Sequence, residues 1–327
     1  MLEAAVESRH SVSPPRPIGP HAIEEAEDDA LFLLGRPPMA EDLGYLTTQV
    51  VTPERVNARE VADAWRAAND IVNALQTEEA GWANEPPLGE LPAELLPARD
   101  RLMSDERFRR SMDVVPVDVK MVPLDRLVVP QKSVNLGSVE RLSRQFSARR
   151  DPQSIFDLCL PIERPRETVR CLRLSNDSFM FVSPSHDFRY LDVMLLDPAS
   201  LAGEQTRGLV AGAVGLMVGY SCNCLTAFAV QNRLVLINGT HRALALLQMG
   251  VTEAPCVIQT ISRPEELSML APRDLLRNPH DFLSSPRPML LKDFLDPRLC
   301  RKVRVSRRMR QVKVTFSVES HDAPTVE

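Results

Sequence analysis

Residues 233–258, RLVLINGTHRALALLQMGVTEAPCVI, carry the reading from which the fold follows. An apolar strand, Leu234 to Ile237, runs into Asn238-Gly239-Thr240-His241-Arg242, where a helix is expected over 240–249. Gly250 ends that helix, as glycine commonly does just past a last turn, and Pro255 opens a further strand, APCVIQTI. Just upstream, CLTAFAV and RLVLI read as a hairpin joined by Gln231-Asn232. Strands and helices alternating within one segment indicate an α/β or α+β core.

The junction at Gly239 has chemistry of its own. A glycine between strand and helix lets backbone approach a ligand closely, and the free amides at a helix start form an anion site. Thr240 can cap the helix or donate its hydroxyl to phosphate. His241 and Arg242 add donors, the arginine with a planar fork that suits paired phosphate oxygens. The same residues also suit a plain strand–turn–helix in which Thr240 only caps and Arg242 pairs with a carboxylate.

This stretch resembles the ParB/sulfiredoxin superfamily. Gly239-Thr240-His241-Arg242 is similar to the sulfiredoxin Gly-Cys-His-Arg loop, with Thr240 in the cysteine's place. Residues 121–146, MVPLDRLVVPQKSVNLGSVERLSRQF, resemble the opening of a ParB N-terminal domain, in which a strand leads through a polar loop to a helix. The resemblance covers about 50 residues. It implies a mixed-sheet core and a loop, Gly239 to Arg242, that binds the phosphates of a nucleoside triphosphate, ATP or CTP, with Mg²⁺. Gln131, Lys132 and Asn135, in the loop after the first core strand, would reach the same nucleotide. Whether the protein is an NTP-dependent enzyme or a switch stays open. Threonine in place of cysteine removes sulfur attack, because a hydroxyl is a poor nucleophile without a base beside it. His241-Arg242 also stands where ParB loops carry two arginines, and no helix-turn-helix is visible after residue 260.

Around this core four regions are expected: a flexible leader over 1–20, a helical region over 21–112, the core over 113–262 with an insertion, and a C-terminal extension over 263–327. Residues 21–34 suit a short helix. A longer helix is expected from Thr52 and Pro53, with Val61, Trp65, Ala68, Val72 and Leu75 on its apolar face. Residues 77–97 read as an irregular connection, and a helix follows from Ala98. Residues 115–129 read as a strand and 133–148 as a helix with Val139, Leu142 and Phe146 on one face. Three strand-like pieces follow in 166–196, then a helix over 204–219. The C-terminal RKVRVSR and RQVKVTFSVE read as a basic hairpin.

Composition sets the class. With 327 residues, 44% apolar and 25% charged, the chain has the make-up of an ordinary globular protein, and the 27 prolines are its one unusual count. The net charge of −5 argues against a nucleic-acid coat protein, but residues 1–110 hold 11 basic against 21 acidic side chains, so the remainder is net positive. Positive charge is densest in Arg301, Lys302, Arg304, Arg307, Arg308, Arg310 and Lys313, which makes DNA binding through Arg307, Arg308 and Arg310 the alternative function. The six cysteines lack the spacing of a disulfide scaffold or zinc site and read as reduced, mostly buried thiols of a cytoplasmic protein. No metal site, Walker A loop or HExxH helix is expected. Residues 209–230 are long and uncharged enough to cross a bilayer, yet the polar break SCN favours a buried helix plus strand. Asp125 and Glu140 are candidate acids that also fit as surface carboxylates beside Arg126 and Arg141, and Ser185-His186-Asp187 reads as a turn.

Overall fold

A computed structural model describes residues 27–48, 50, 57–147, 151–162, 168–185, 187–197, 208–220, 222–307 and 309–322. In chain order the first elements are strand β1 (Glu27–Leu33) and helices α1 (Met39–Thr48), α2 (Ala58–Glu78), α3 (Leu96–Ser104) and α4 (Glu106–Ser111). Strands β2 (Val117–Pro123) and β3 (Ser133–Asn135) precede helices α5 (Leu136–Ser147) and α6 (Pro152–Cys159). Then come strands β4 (Arg170–Arg173), β5 (Ser178–Ser183), β6 (Phe188–Leu196), β7 (Ala213–Tyr220), β8 (Thr226–Val230) and β9 (Arg233–Asn238). Helix α7 (Thr240–Gln248), strand β10 (Glu253–Ile261) and the short helices α8 (Pro264–Leu270), α9 (Arg273–Arg277) and α10 (Pro279–Leu283) lead to strands β11 (Cys300–Ser306) and β12 (Arg310–Thr315). Helices and mixed sheets make this an α+β protein.

The chain forms two compact units. The larger joins residues 25–164 to 222–307, and the smaller includes 165–221 and 308–327. The expected hairpin lies in the larger unit, in a four-stranded sheet of order β2-β10-β8-β9. β10 runs parallel to β8 and antiparallel to β2, and β8 turns into β9 through Gln231, whose φ is +55°. Ala227, Leu234, Leu236, Ala254, Cys256 and Val257 are buried, which is why these strands read as apolar runs. Helix α7 is buried through Ala243–Leu246 and packs against α5 and α6.

Residues 27–33 form a strand where a helix was expected over 21–34, and residues 21–26, like the 1–20 leader, lie outside the described residues. β1 sits between β11 and β3, so its partner is about 270 residues away in the chain. The acidic end of β1 meets the basic strand: Lys302 pairs with Asp29 at 2.8 Å, Arg304 with Glu27 at 3.4 Å, and Arg307 with Asp28 at 2.7 Å. The face opposite Glu27 and Asp29 carries buried Ala30, Phe32 and Val303. The expected C-terminal hairpin is therefore not formed, because β11 joins β1 while β12 joins β5.

Helix α2 begins at Ala58, and the expected start at Thr52 lies outside the described residues. Asn57 is the cap, its side-chain oxygen accepting from the amides of Arg59 and Glu60. The expected stripe is buried: Val61, Trp65, Ala68 and Val72, with Leu75 packed beside them. Trp65 donates Nε1–H to Asp42 at 2.9 Å, and Lys132 pairs with the other carboxylate oxygen at 2.7 Å. Replacing Asn57 with alanine removes one cap and is expected to cost about 1 kcal/mol in urea unfolding, against nearly nothing for Asn57→Asp. The helix after Ala98 is broken in two at Asp105, which caps the second piece, and the helix at 133–148 is preceded by short β3.

In the smaller unit β12-β5-β4 form one sheet and β6-β7 a two-stranded ribbon. Residues 213–220 are a strand, where a helix over 204–219 was expected. Small apolar residues such as those of LVAGAVGLMVGY fit either period, and pairing with β6 decides between them. Phe188 N donates to Ser185 O at 3.2 Å, as in a turn, while His186 lies outside the described residues. Among the described residues no helix is long and apolar enough to cross a membrane.

Candidate functional site

β9 ends at Asn238 and the chain turns through Gly239 into α7. Gly239 has φ +94° and ψ 19°, the left-handed region that strains residues with a side chain. A Cβ there would lie 2.6 Å from Leu225 Cδ1 and 3.2 Å from Leu225 Cα. Glycine is thus fixed by its conformation and by the chain against it. It is also the N-cap of α7, so the helix starts with no side-chain cap on its first-turn amides. Those amides point out of the helix start and leave it partly positive.

Thr240 and Arg242 are buried and His241 is half-buried. The backbone amide of Asn135 donates to His241 Nε2 at 3.0 Å, which fixes that nitrogen as an acceptor and the imidazole as neutral. Asn135 Oδ1 in turn caps α5 by accepting from Ser138 N at 2.7 Å. The starts of α5 and α7 are thereby held together. Two residues further along α5 begins an open depression of about 530 Å³, lined by Gly137, Arg141, Arg144 and Gln145. Arg141 and Arg144 are exposed there, on the side of α5 away from buried Val139 and Phe146. Among the sequence candidates Arg141 appeared only as a neighbour of Glu140, and Arg144 did not appear. Their signal was the helical spacing that keeps them off the apolar stripe.

Arg242 points inward. Its Nη1 donates to the carbonyls of Leu158 at 3.1 Å, Cys159 at 3.2 Å and Asn223 at 2.5 Å, and its Nη2 to Asn223 Oδ1 at 2.6 Å. One guanidinium therefore ties α7 to the end of α6 and to the segment entering β8. Burial pushes the thiols of Cys159 and Cys224 up to about 12, with Arg242 pulling weakly the other way, so both stay protonated at neutral pH. Cys256 is shifted upward by burial as well. Of the six cysteines, expected to be mostly buried, Cys159, Cys224 and Cys256 are buried, whereas Cys171, Cys222 and Cys300 are half-buried.

The remaining candidates are spread out. Gln131 donates to the carbonyl of Ser133, Lys132 is engaged by Asp42, and of that trio only Asn135 adjoins His241. Asp125 is half-buried and Glu140 exposed. Among the described residues no group of three His, Cys, Asp or Glu is placed to hold a metal. Arg307 is paired with Asp28, Arg310 donates to the carbonyl of Phe188, and Arg308 lies outside the described residues. Comparison with family models, with curated proteins and with solved structures gave no match.

Proposed function

We propose that the protein binds the phosphates of a nucleoside triphosphate, ATP or CTP, where the starts of α5 and α7 meet, on a ParB/sulfiredoxin-like core. The observation that carries this is the glycine-capped start of α7 held against the start of α5 by the Asn135–His241 bond. Gly239 and the amides of Thr240 and His241 receive phosphate, and Arg141 and Arg144 supply the positive charge. Arg242 and the neutral His241 position the loop. The carboxylate of Asp28, hydrogen-bonded to Asn135, is engaged by Arg307, so a Mg²⁺ ion would be held by the phosphates and water.

Titration calorimetry of the wild type with ATP, CTP and GTP in Mg²⁺ tests the reading. At least one is expected to bind, and the exposed pair Arg141→Ala/Arg144→Ala to weaken it at least about tenfold, the loss of one charge-assisted hydrogen bond. No heat with any of the three would end the proposal. DNA binding by the C-terminal strands has less support, because Lys302, Arg304 and Arg307 already face the acids of β1.

A further inference from the structure

One hydrogen bond at the α5–α7 junction depends on the proton state of a side chain. Other ties there end on groups that do not titrate near neutrality: Asn135 Oδ1 accepts from Ser138 N, and Arg242 donates to the carbonyls of Leu158, Cys159 and Asn223. The bond from Asn135 N to His241 Nε2 differs, because it uses the lone pair of an imidazole nitrogen. Histidine, with an ordinary pKa of about 6.5, is the side chain that changes charge between about pH 5 and 8. With Nε2 protonated, two N–H groups would point at each other across 3.0 Å, so the bond and the proton exclude one another.

The elements packed against α7 are α5, α6, β3 and the turns Leu124–Arg126 and Leu291–Leu295. On α5, Arg141 and Arg144 are exposed cations and Glu140 an exposed acid, while β3 carries no charge. Asp28 of β1 reaches Asn135, but Arg307 already engages it at 2.7 Å. On α6, Asp157 is exposed and accepts from Gln153. The two turns bring Asp125, Arg126 lying over Trp82, Lys292 committed to Glu79, and Asp293 committed to Arg287. Within α7 the neighbour of His241 is Arg242, and the start of the helix is itself partly positive. A proton on His241 thus adds positive charge where positive charge already collects.

We infer that His241 is a proton-operated clasp: neutral, it holds the starts of α5 and α7 together, and protonated, it lets them part and weakens nucleotide binding there. The effect on nucleotide rests on the phosphate reading above, whereas the clasp itself does not. The unfolded chain binds a proton at position 241 below about pH 6.5 while the closed clasp excludes it. Its contribution to stability is therefore full above that pH and is lost as pH falls below it, by about tenfold in the unfolding constant per pH unit. The loss ends where the folded protein takes up the proton and the clasp opens.

Urea unfolding without nucleotide, from pH 7.5 to 5.0, tests the clasp. His241→Gln is the reference, because its Oε1 can accept from the Asn135 amide at every pH, and the other histidines are common to both proteins. Between pH 7.5 and 5.5 the unfolding constant is expected to rise about tenfold more in the wild type than in His241→Gln. His241→Ala, lacking the bond, is expected to be less stable than either at pH 7.5 and to share the flatter profile of the glutamine variant. Equal profiles in the wild type and His241→Gln, or a wild-type profile in His241→Ala, would overturn the inference. Calorimetry with ATP, CTP and GTP in Mg²⁺ then separates it from the phosphate reading. From pH 7.5 to 5.0 the affinity of the wild type is expected to fall at least about tenfold further than that of His241→Gln, and equal falls would overturn the control of the site by His241. No heat with the wild type at pH 7.5 ends the phosphate reading, and the clasp is then decided by unfolding alone.

Discussion

Arg287→Met is expected to lose about 3–5 kcal/mol of stability, the cost of stripping one partner from a buried ion pair. Arg287 is 2% exposed although it is an arginine. Its guanidinium donates to Asp293, itself 3% exposed, to Glu79 and to the carbonyl of Pro288. Arg36 reaches the same Asp293 oxygen at 3.5 Å, and Lys292 joins Glu79 at 2.9 Å. Burial alone would lower the Arg287 pKa, but Asp293 and Glu79 outweigh it and hold the group charged. Asp293 Oδ1 is buried and has no partner among the described residues, so the cluster already carries one unmet acceptor. Methionine would leave Asp293 with Arg36 and the backbone amide of Leu290, and Glu79 with Lys292. Urea unfolding checks this, and a loss below about 1 kcal/mol would show that the charges are dispensable.

The same cluster gives the variant a pH signature. Burial raises the Glu79 pKa and its two cations lower it further, so the folded value lies below the ordinary 4.5. A depressed carboxylate contributes stability above its unfolded value that disappears as pH falls through the folded one. Part of the acid sensitivity below pH 4.5 is therefore expected to vanish in Arg287→Met.

The second large effect is expected at Arg242. Arg242→Ala removes four hydrogen bonds from one buried charged group and leaves three carbonyls facing the space it occupied. At about 1.5–3 kcal/mol for a bond to a charged donor, with partial relaxation, the loss should be at least about 3 kcal/mol. Arg242→Lys keeps the charge but lacks the planar fork that spans Asn223 and the end of α6, and should recover less than half. Both measurements are made without nucleotide. If Arg242→Ala were as stable as wild type, the inward clamp would be wrong and the arginine free to meet a ligand.

The hairpin, Gly239 and α7 were legible because each signal is local. Alternating apolar residues, a turn dipeptide and a helix-ending glycine lie within about 35 residues. β1 was not legible, because EDDALFL is a strand only opposite RKVRVSR, far along the chain. The charge gradient held that information in another form: the acidic start and the basic end are neighbouring strands of one sheet, joined by ion pairs. β7 was missed for a related reason, since its small apolar residues acquire a period only through β6. At the site, the residue types at 239–242 were read correctly as a strand-to-helix junction. The direction of Arg242 was not readable, because its acceptors come from Leu158, Cys159 and Asn223, and backbone carbonyls leave no mark in a sequence.

The larger unit is assembled from two stretches separated by the smaller one, and this has a consequence during synthesis. β2 emerges from the ribosome early, but its partner β10 follows roughly 140 residues later. At about 5–20 residues per second, β2 waits some 7–28 s for β10, and α5 and α6 wait a shorter time for α7. The interrupted stretch, β4 to β7, is finished during that wait. The nascent chain thus passes through a stage in which its first half is a client for whatever shields newly made polypeptides, a stage that outlasts residues 253–261 because β1 still awaits β11.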